Sequence, residues 1–211
     1  MDQFKKIPKG TLILISCTIL IPLILTLSPE ISKFCTVRLN WKLPVSLVVS
    51  LFRASLDLNF LINTLIRFQT LNYIESAGIS EVELIFYTLF GCPMFLLGWY
   101  LEGIHSFNGS LGMMYVYYLS KLNSYFNVFG FVVKSEYLPF VSFGIEFLTS
   151  GGRSKSYYGI INGALYFLLK SRGFGVPNWF NTYYNKLKLN MKNAFKPNRS
   201  VRLGSVRKKN K

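Results

Sequence analysis

Long apolar runs recur along this chain, and nothing else in it constrains the fold as strongly. Thr11–Leu27, Leu43–Leu71, Glu83–Tyr100, Gly109–Leu122, Leu138–Leu148 and Tyr157–Leu169 are each dominated by aliphatic and aromatic residues. Runs of this length and frequency make lipid the natural solvent. Charge agrees with that reading: a soluble domain carries about a quarter charged residues, and here the share is 16%. The net charge of +15 is unevenly placed, with 12 of the 24 Lys and Arg falling from Lys170 onward, where no Asp or Glu occurs. Lys5, Lys6 and Lys9 add a basic start. Basic ends favour the cytosolic side of a membrane and require an even number of spans. The expectation is an all-α integral membrane protein of six helices. Residues 1–170 are expected to form the membrane domain and residues 171–211 a basic cytosolic tail.

Cys17, Cys35 and Cys92 are scattered, with no C-x-x-C pair, and His105 is the single histidine. Neither a disulfide framework nor a zinc site is expected, and no cofactor is called for. His105 lies in the loop before Gly109–Leu122 and reads as a neutral surface or interface residue. Thr11–Leu27 resembles the apolar core of a signal peptide but lacks a small-residue cleavage site, so it reads as a retained span with a kink at Pro22.

The final pair of runs is the most specific stretch. Leu-Pro, an aromatic and a short apolar run lead into the turn Ser150-Gly151-Gly152-Arg153. Gly159 and Gly163 follow, four apart and so on one helix face, ahead of Leu165-Tyr166-Phe167. A G-x-x-x-G pair in an apolar helix lets a neighbouring helix approach to backbone contact. This arrangement resembles the last two membrane helices of the derlin family, the rhomboid-like pseudoproteases of the endoplasmic reticulum. Trp41-Lys42, Arg67–Glu75 and Tyr137–Gly152 extend the likeness, which runs from about Ile7 to Leu169. Derlins carry Trp-Arg where this chain has Trp41-Lys42, an aromatic and a cation suited to headgroup depth. Lysine there loses the bidentate grip on phosphate. The resemblance implies a six-transmembrane-helix, rhomboid-like bundle.

Active rhomboids place Gly-x-Ser-Gly on the fourth helix and a His on the sixth, and the Ser needs that base within hydrogen-bond reach. Here the fourth run opens Gly109-Ser110-Leu111-Gly112, so Leu111 stands in the nucleophile's place. Ser110 is one residue off, about 100° around a helix, and Ser156 stands where the His belongs. The catalytic pair is missing, and no enzyme activity is expected; an active intramembrane serine protease is the reading a serine-reactive probe would have to revive. What the resemblance implies instead is a role in endoplasmic-reticulum-associated degradation. Derlins help move misfolded clients across the membrane to a ubiquitin ligase complex and an AAA ATPase. Some derlin-like proteins import proteins across a membrane around a secondary plastid, and the Asn-, Ile-, Lys- and Phe-rich composition leaves that alternative open. Homo- or hetero-oligomerisation stays open as well. Arg202-Leu203-Gly204 resembles the end of an ATPase-binding box, but the preceding aromatic and glycines are missing, so direct ATPase binding does not follow.

Polar residues inside apolar runs mark a candidate client path. Leu43–Leu71 contains Arg53, Asp57, Asn59, Asn63 and Arg67 at four-residue spacing from Asn59 on. Such groups face a wet cavity or the bundle interior, or else snorkel from an interface. On a continuous helix Arg53 and Asp57 would pair. Glu146 sits in Leu138–Leu148, which covers about 16 Å at helical rise against ~30 Å of hydrocarbon. A short, polar-bearing helix thins the bilayer. Glu146 with Asn59, Asn63 and Arg67 is therefore expected to line a wet path; the alternative places Glu146 at the interface near Arg153 and Lys155. In the tail, Asn178–Lys188 reads either as an amphipathic segment on an anionic leaflet or as a solubilising tail. Nucleic-acid binding is not expected.

Overall fold

The computed structural model describes residues 7–28, 30–31, 43–122, 125–128, 131–149, 152 and 154–194. The chain divides into two compact units, Met1–Gly175 and Val176–Lys211. In the first unit the helices are α1 (Lys9–Leu27), α2 (Leu43–Phe52), α3 (Leu58–Ser76), α4 (Glu81–Phe90), α5 (Cys92–Glu102), α6 (Asn108–Ser120), α7 (Leu138–Thr149) and α8 (Tyr157–Ser171). A hairpin, β1 (Tyr125–Val128) and β2 (Phe131–Lys134), stands between α6 and α7. The second unit contains α9 (Asn178–Ala194).

Local chemistry sets several of these boundaries. The Asp57 carboxylate accepts the Phe60 amide at 2.7 Å and caps α3. Ser80 caps α4 by accepting from the Glu83 amide. The amino end of α1 is capped from a distance: Glu75 accepts Gly10 N (3.0 Å), Thr11 N (2.6 Å) and Thr11 Oγ1 (2.7 Å). A carboxylate there satisfies free amides and complements the helix dipole. It also ties the start of α1 to the end of α3. Helix α4 gives way to α5 at Gly91, and Pro93 stands in the first turn of α5, where its missing N–H costs nothing.

Helix α6 is the centre of the first unit. Leu111, Met114 and Tyr115 are fully buried, and α1, α4, α5 and α8 add Leu14, Leu84, Tyr87, Phe95 and Tyr166 to the same core. At its far end Glu83 forms an ion pair with Lys170 and accepts the hydroxyls of Tyr118 (2.8 Å) and Tyr166 (3.3 Å). Tyr87 stacks edge-on against both tyrosines, at 4.9 and 4.7 Å between ring centres, and donates to Met114 O at 2.7 Å.

The expected six-transmembrane-helix bundle is corrected by this structure. Among the described residues two helices are long and apolar enough to cross a membrane, Lys9–Leu27 and Glu81–Glu102, the latter running through α4 and α5. The expected second span, Leu43–Leu71, is broken: residues 53–57 are not helical, and Asp57 is extended and caps α3 rather than pairing with Arg53 along a helix. Phe107 N donates to Ser50 O (3.0 Å) and Ser106 Oγ to Arg53 O (2.5 Å), which fixes the break against the loop before α6. Helix α3 has the length but carries Asn59, Asn63, Arg67, Gln69, Asn72 and Glu75. Helices α6, α7 and α8 have 13, 12 and 15 residues. At 1.5 Å per residue each falls short of ~30 Å of hydrocarbon. The fold is also not purely helical. Residues 125–128 and 131–134 pair as antiparallel strands, with Tyr125 opposite Lys134 and Val128 opposite Phe131. The exposed Lys134–Glu136 pair links the end of β2 to the short turn that follows it and holds the Glu136 carboxyl below its ordinary range through the lysine's hydrogen bond.

The outer surface is nevertheless apolar. Leu12, Leu20 and Ile24 on α1, Leu61, Leu65 and Ile66 on α3, and Phe140, Ile145 and Leu148 on α7 are all exposed. Only 28% and 33% of the two long apolar windows are buried, so neither is an enclosed core helix. Apolar residues outside and polar ones inside is the distribution expected of a membrane-associated protein.

Candidate functional site

The start of α6 gathers polar side chains from four other helices or loops. Arg67, on α3, is buried, and its Nη1 donates to Asn108 Oδ1 at 2.6 Å and to Thr18 Oγ1 of α1 at 3.4 Å. Nη2 donates to Asn108 O at 2.5 Å. Its Nε is buried with no hydrogen-bond partner among the described residues. A Cβ on Gly112 would lie 3.3 Å from Nη2, so glycine leaves room for the guanidinium beside the helix backbone.

The neighbouring face of the same turn meets α7 and the approach to α8. Ser110, buried, donates to Lys155 O at 3.0 Å. Ser156 donates to Glu146 Oε1 at 2.5 Å. Both groups crowd Gly109, where a Cβ would sit 2.9 Å from Ser156 Oγ and 3.1 Å from Glu146 Oε1. Glu146 is half-buried. A carboxylate this close to the amino end of a helix is favoured by its dipole.

The seam between α6 and α8 is set by the glycine pair. A Cβ on Gly159 would fall 1.9 Å from Ser110 O and 2.9 Å from Met114 N, so the two backbones touch there. At Gly163 the same atom would meet Cγ and Cδ1 of Tyr117 at 2.8 Å. The first glycine thus faces main chain and the second faces a ring.

Chemistry at this site is limited by what stands in it. Leu111 is fully buried in the core, and His105 is exposed in the loop before α6. The Ser110 hydroxyl is spent on a backbone carbonyl, not aimed at a base. Among the described residues no group of three or more His, Cys, Asp or Glu could hold a metal ion. The Der1-like family model matches residues 7–189. The chain belongs to the Der1-like family. No curated protein and no solved structure matches it. The match runs past Leu169 into α9, so the Der1-like region reaches beyond the stretch of resemblance read from the sequence.

Of the residues singled out in the sequence, the structure brings Arg67, Glu146, Gly159 and Ser156 to the first turns of α6. Asn63 lies one turn before Arg67 on α3 and is exposed. Asn59 lies on α3 with its side chain outside the described residues, as are Trp41 and Lys42 altogether. Sequence reasoning missed Asn108 and Thr18, the partners of Arg67. The signal available was Asn108-Gly109-Ser110, small polar residues opening an apolar run, which reads as a helix start and says nothing of an arginine 41 residues away. It missed Glu75 and the Glu83–Lys170 cluster for the same reason.

Proposed function

We propose that this Der1-like chain is a non-catalytic factor of endoplasmic-reticulum-associated degradation that helps move misfolded proteins across the membrane to the cytosol. The observation that carries the reading is the family match over residues 7–189. The buried Leu111 in the place of a rhomboid nucleophile, with Ser156 in the place of its base, supports a role without bond cleavage. Multi-pass residence in the endoplasmic reticulum membrane, and clients passed on to a ubiquitin ligase complex and an AAA ATPase, are part of the same proposal.

The polar groups at the start of α6 suit such a role. A half-buried Glu146 and a buried Arg67 sit within a fold whose outside is apolar. Charged groups at membrane depth draw water or polar chain toward themselves. The twelve-residue α7 that carries Glu146 favours local thinning of the bilayer. Together they would lower the barrier to a polar segment passing alongside.

The test compares cells with and without the protein for turnover of a misfolded membrane-anchored client. Loss should slow turnover several-fold, and a Ser110→Ala variant should restore it fully. Client cleavage within the membrane, or labelling by a serine-reactive probe that Ser110→Ala abolishes, would overturn the non-catalytic reading. Unchanged turnover in the deletion would overturn the degradation role.

A further inference from the structure

The second unit contains a helix with a continuous apolar stripe. Trp179, Tyr183, Leu187 and Met191 follow one another at four-residue spacing on α9, so they line one face. They are 68%, 60%, 43% and 54% exposed, too open to serve as a core. Phe180 and Tyr184 adjoin the stripe, Trp179 meeting Phe180 edge-on at 5.8 Å. Lys186 and Lys188 stand immediately before and after Leu187, about 100° to either side of it. The Lys188 ammonium lies 5.8 Å from the centre of the Tyr184 ring.

Charge selects what covers this face. Glu146 is the last acidic residue in the chain, while 12 Lys and Arg occur from Lys170 to Lys211. An aromatic and aliphatic stripe flanked on both sides by lysines matches a helix lying in the plane of a bilayer interface. Rings then sit at the headgroup boundary, and each lysine extends its stem along apolar surface to reach phosphate. We propose that α9 lies flat on an anionic bilayer, with the Trp179–Tyr183–Leu187–Met191 stripe immersed and Lys186 and Lys188 on lipid phosphates. The function would be to hold the basic end of the chain against a membrane surface.

Trp179 reports on this directly. Full-length protein with Trp41→Phe and Trp99→Phe keeps Trp179 as its single tryptophan. It is reconstituted into vesicles of phosphatidylcholine alone, or with phosphatidylserine added, each with and without brominated acyl chains. The expected result is blue-shifted Trp179 emission and bromine quenching, stronger in the anionic vesicles. Lys186→Gln with Lys188→Gln should lower the ratio of immersed to free helix by about 30-fold. Emission at the water-exposed position with equal iodide quenching in both vesicle types overturns the proposal. So does equal bromine quenching in the two, which removes the role of charge. Blue-shifted emission without bromine quenching also overturns it, because protein then covers the stripe.

Discussion

The two ends of α6 both bury polar groups in an apolar core, and they do so in opposite ways. At the far end, opposite charges meet: Glu83 pairs with Lys170, and the same carboxylate oxygen, Oε1, also accepts the hydroxyls of Tyr118 and Tyr166. At the start, a buried arginine is held by an amide, a main-chain carbonyl and a threonine hydroxyl, all neutral, and its Nε is left over. Desolvating a charge costs several kcal/mol per ion, and neutral dipoles offset that less fully than a counter-charge does. The far end is a structural clamp. The start is the expensive end, and the α2–α3 break, the short α7 and the Ser156–Glu146 contact are gathered around it.

That contrast can be broken most severely at Gly159. Replacement by Ala drives a Cβ into Ser110 O, and backbone cannot move aside as a side chain does. The loss should be about 3 kcal/mol or more, read as a lowered unfolding temperature in detergent and a fallen steady-state level. Asn108→Leu comes next, at about 2 kcal/mol, because it removes the Nη1 acceptor from a buried cation. Adding Arg67→Met to that variant should recover most of the loss. Failure of the double variant to recover would mean that Arg67 and Asn108 are not coupled. Gly163→Ala, toward the far end, should cost about 1–2 kcal/mol, since the Tyr117 ring has some freedom to shift. If Gly163→Ala proves worse than Gly159→Ala, the start is not the tighter end of the seam.

Glu83→Gln should cost about 1 kcal/mol, because the amide oxygen still accepts from tyrosine and the partly open Lys170 turns to water. The smallest stability effect is expected at Glu146→Leu, within ~1 kcal/mol, as the one hydrogen bond lost from Ser156 is offset by relieving a half-buried carboxylate of its desolvation. Its functional effect should be the reverse in rank. At equal expression, degradation of a membrane client should slow with Glu146→Leu and hold steady with Glu83→Gln. Equal rates in the two variants would remove the functional distinction between the ends.

Spacing along the chain was enough to place the apolar runs and the glycine face of α8, because each depends only on helical period or composition. That leucine stands where the resemblance puts a nucleophile was likewise legible, since Leu111 is a matter of identity at a position. Strands β1 and β2 were legible in principle, because β-branched and aromatic residues dominate both. The spans were not. Hydropathy measures how apolar a segment is, and it cannot distinguish apolar surface covered by protein, as at Leu111 and Met114, from surface left to lipid. Nor does four-residue spacing determine that residues 53–57 leave the helix and that Asp57 caps α3; the tie from residues 106–107 to 50–53 accompanies that break. Arg67 meets Asn108 across 41 residues, and Glu75 meets Gly10 across 65. Helical period tells which face a polar group occupies, but its partner is fixed by distance in space, and only the packing of α1, α3, α6, α7 and α8 supplies that.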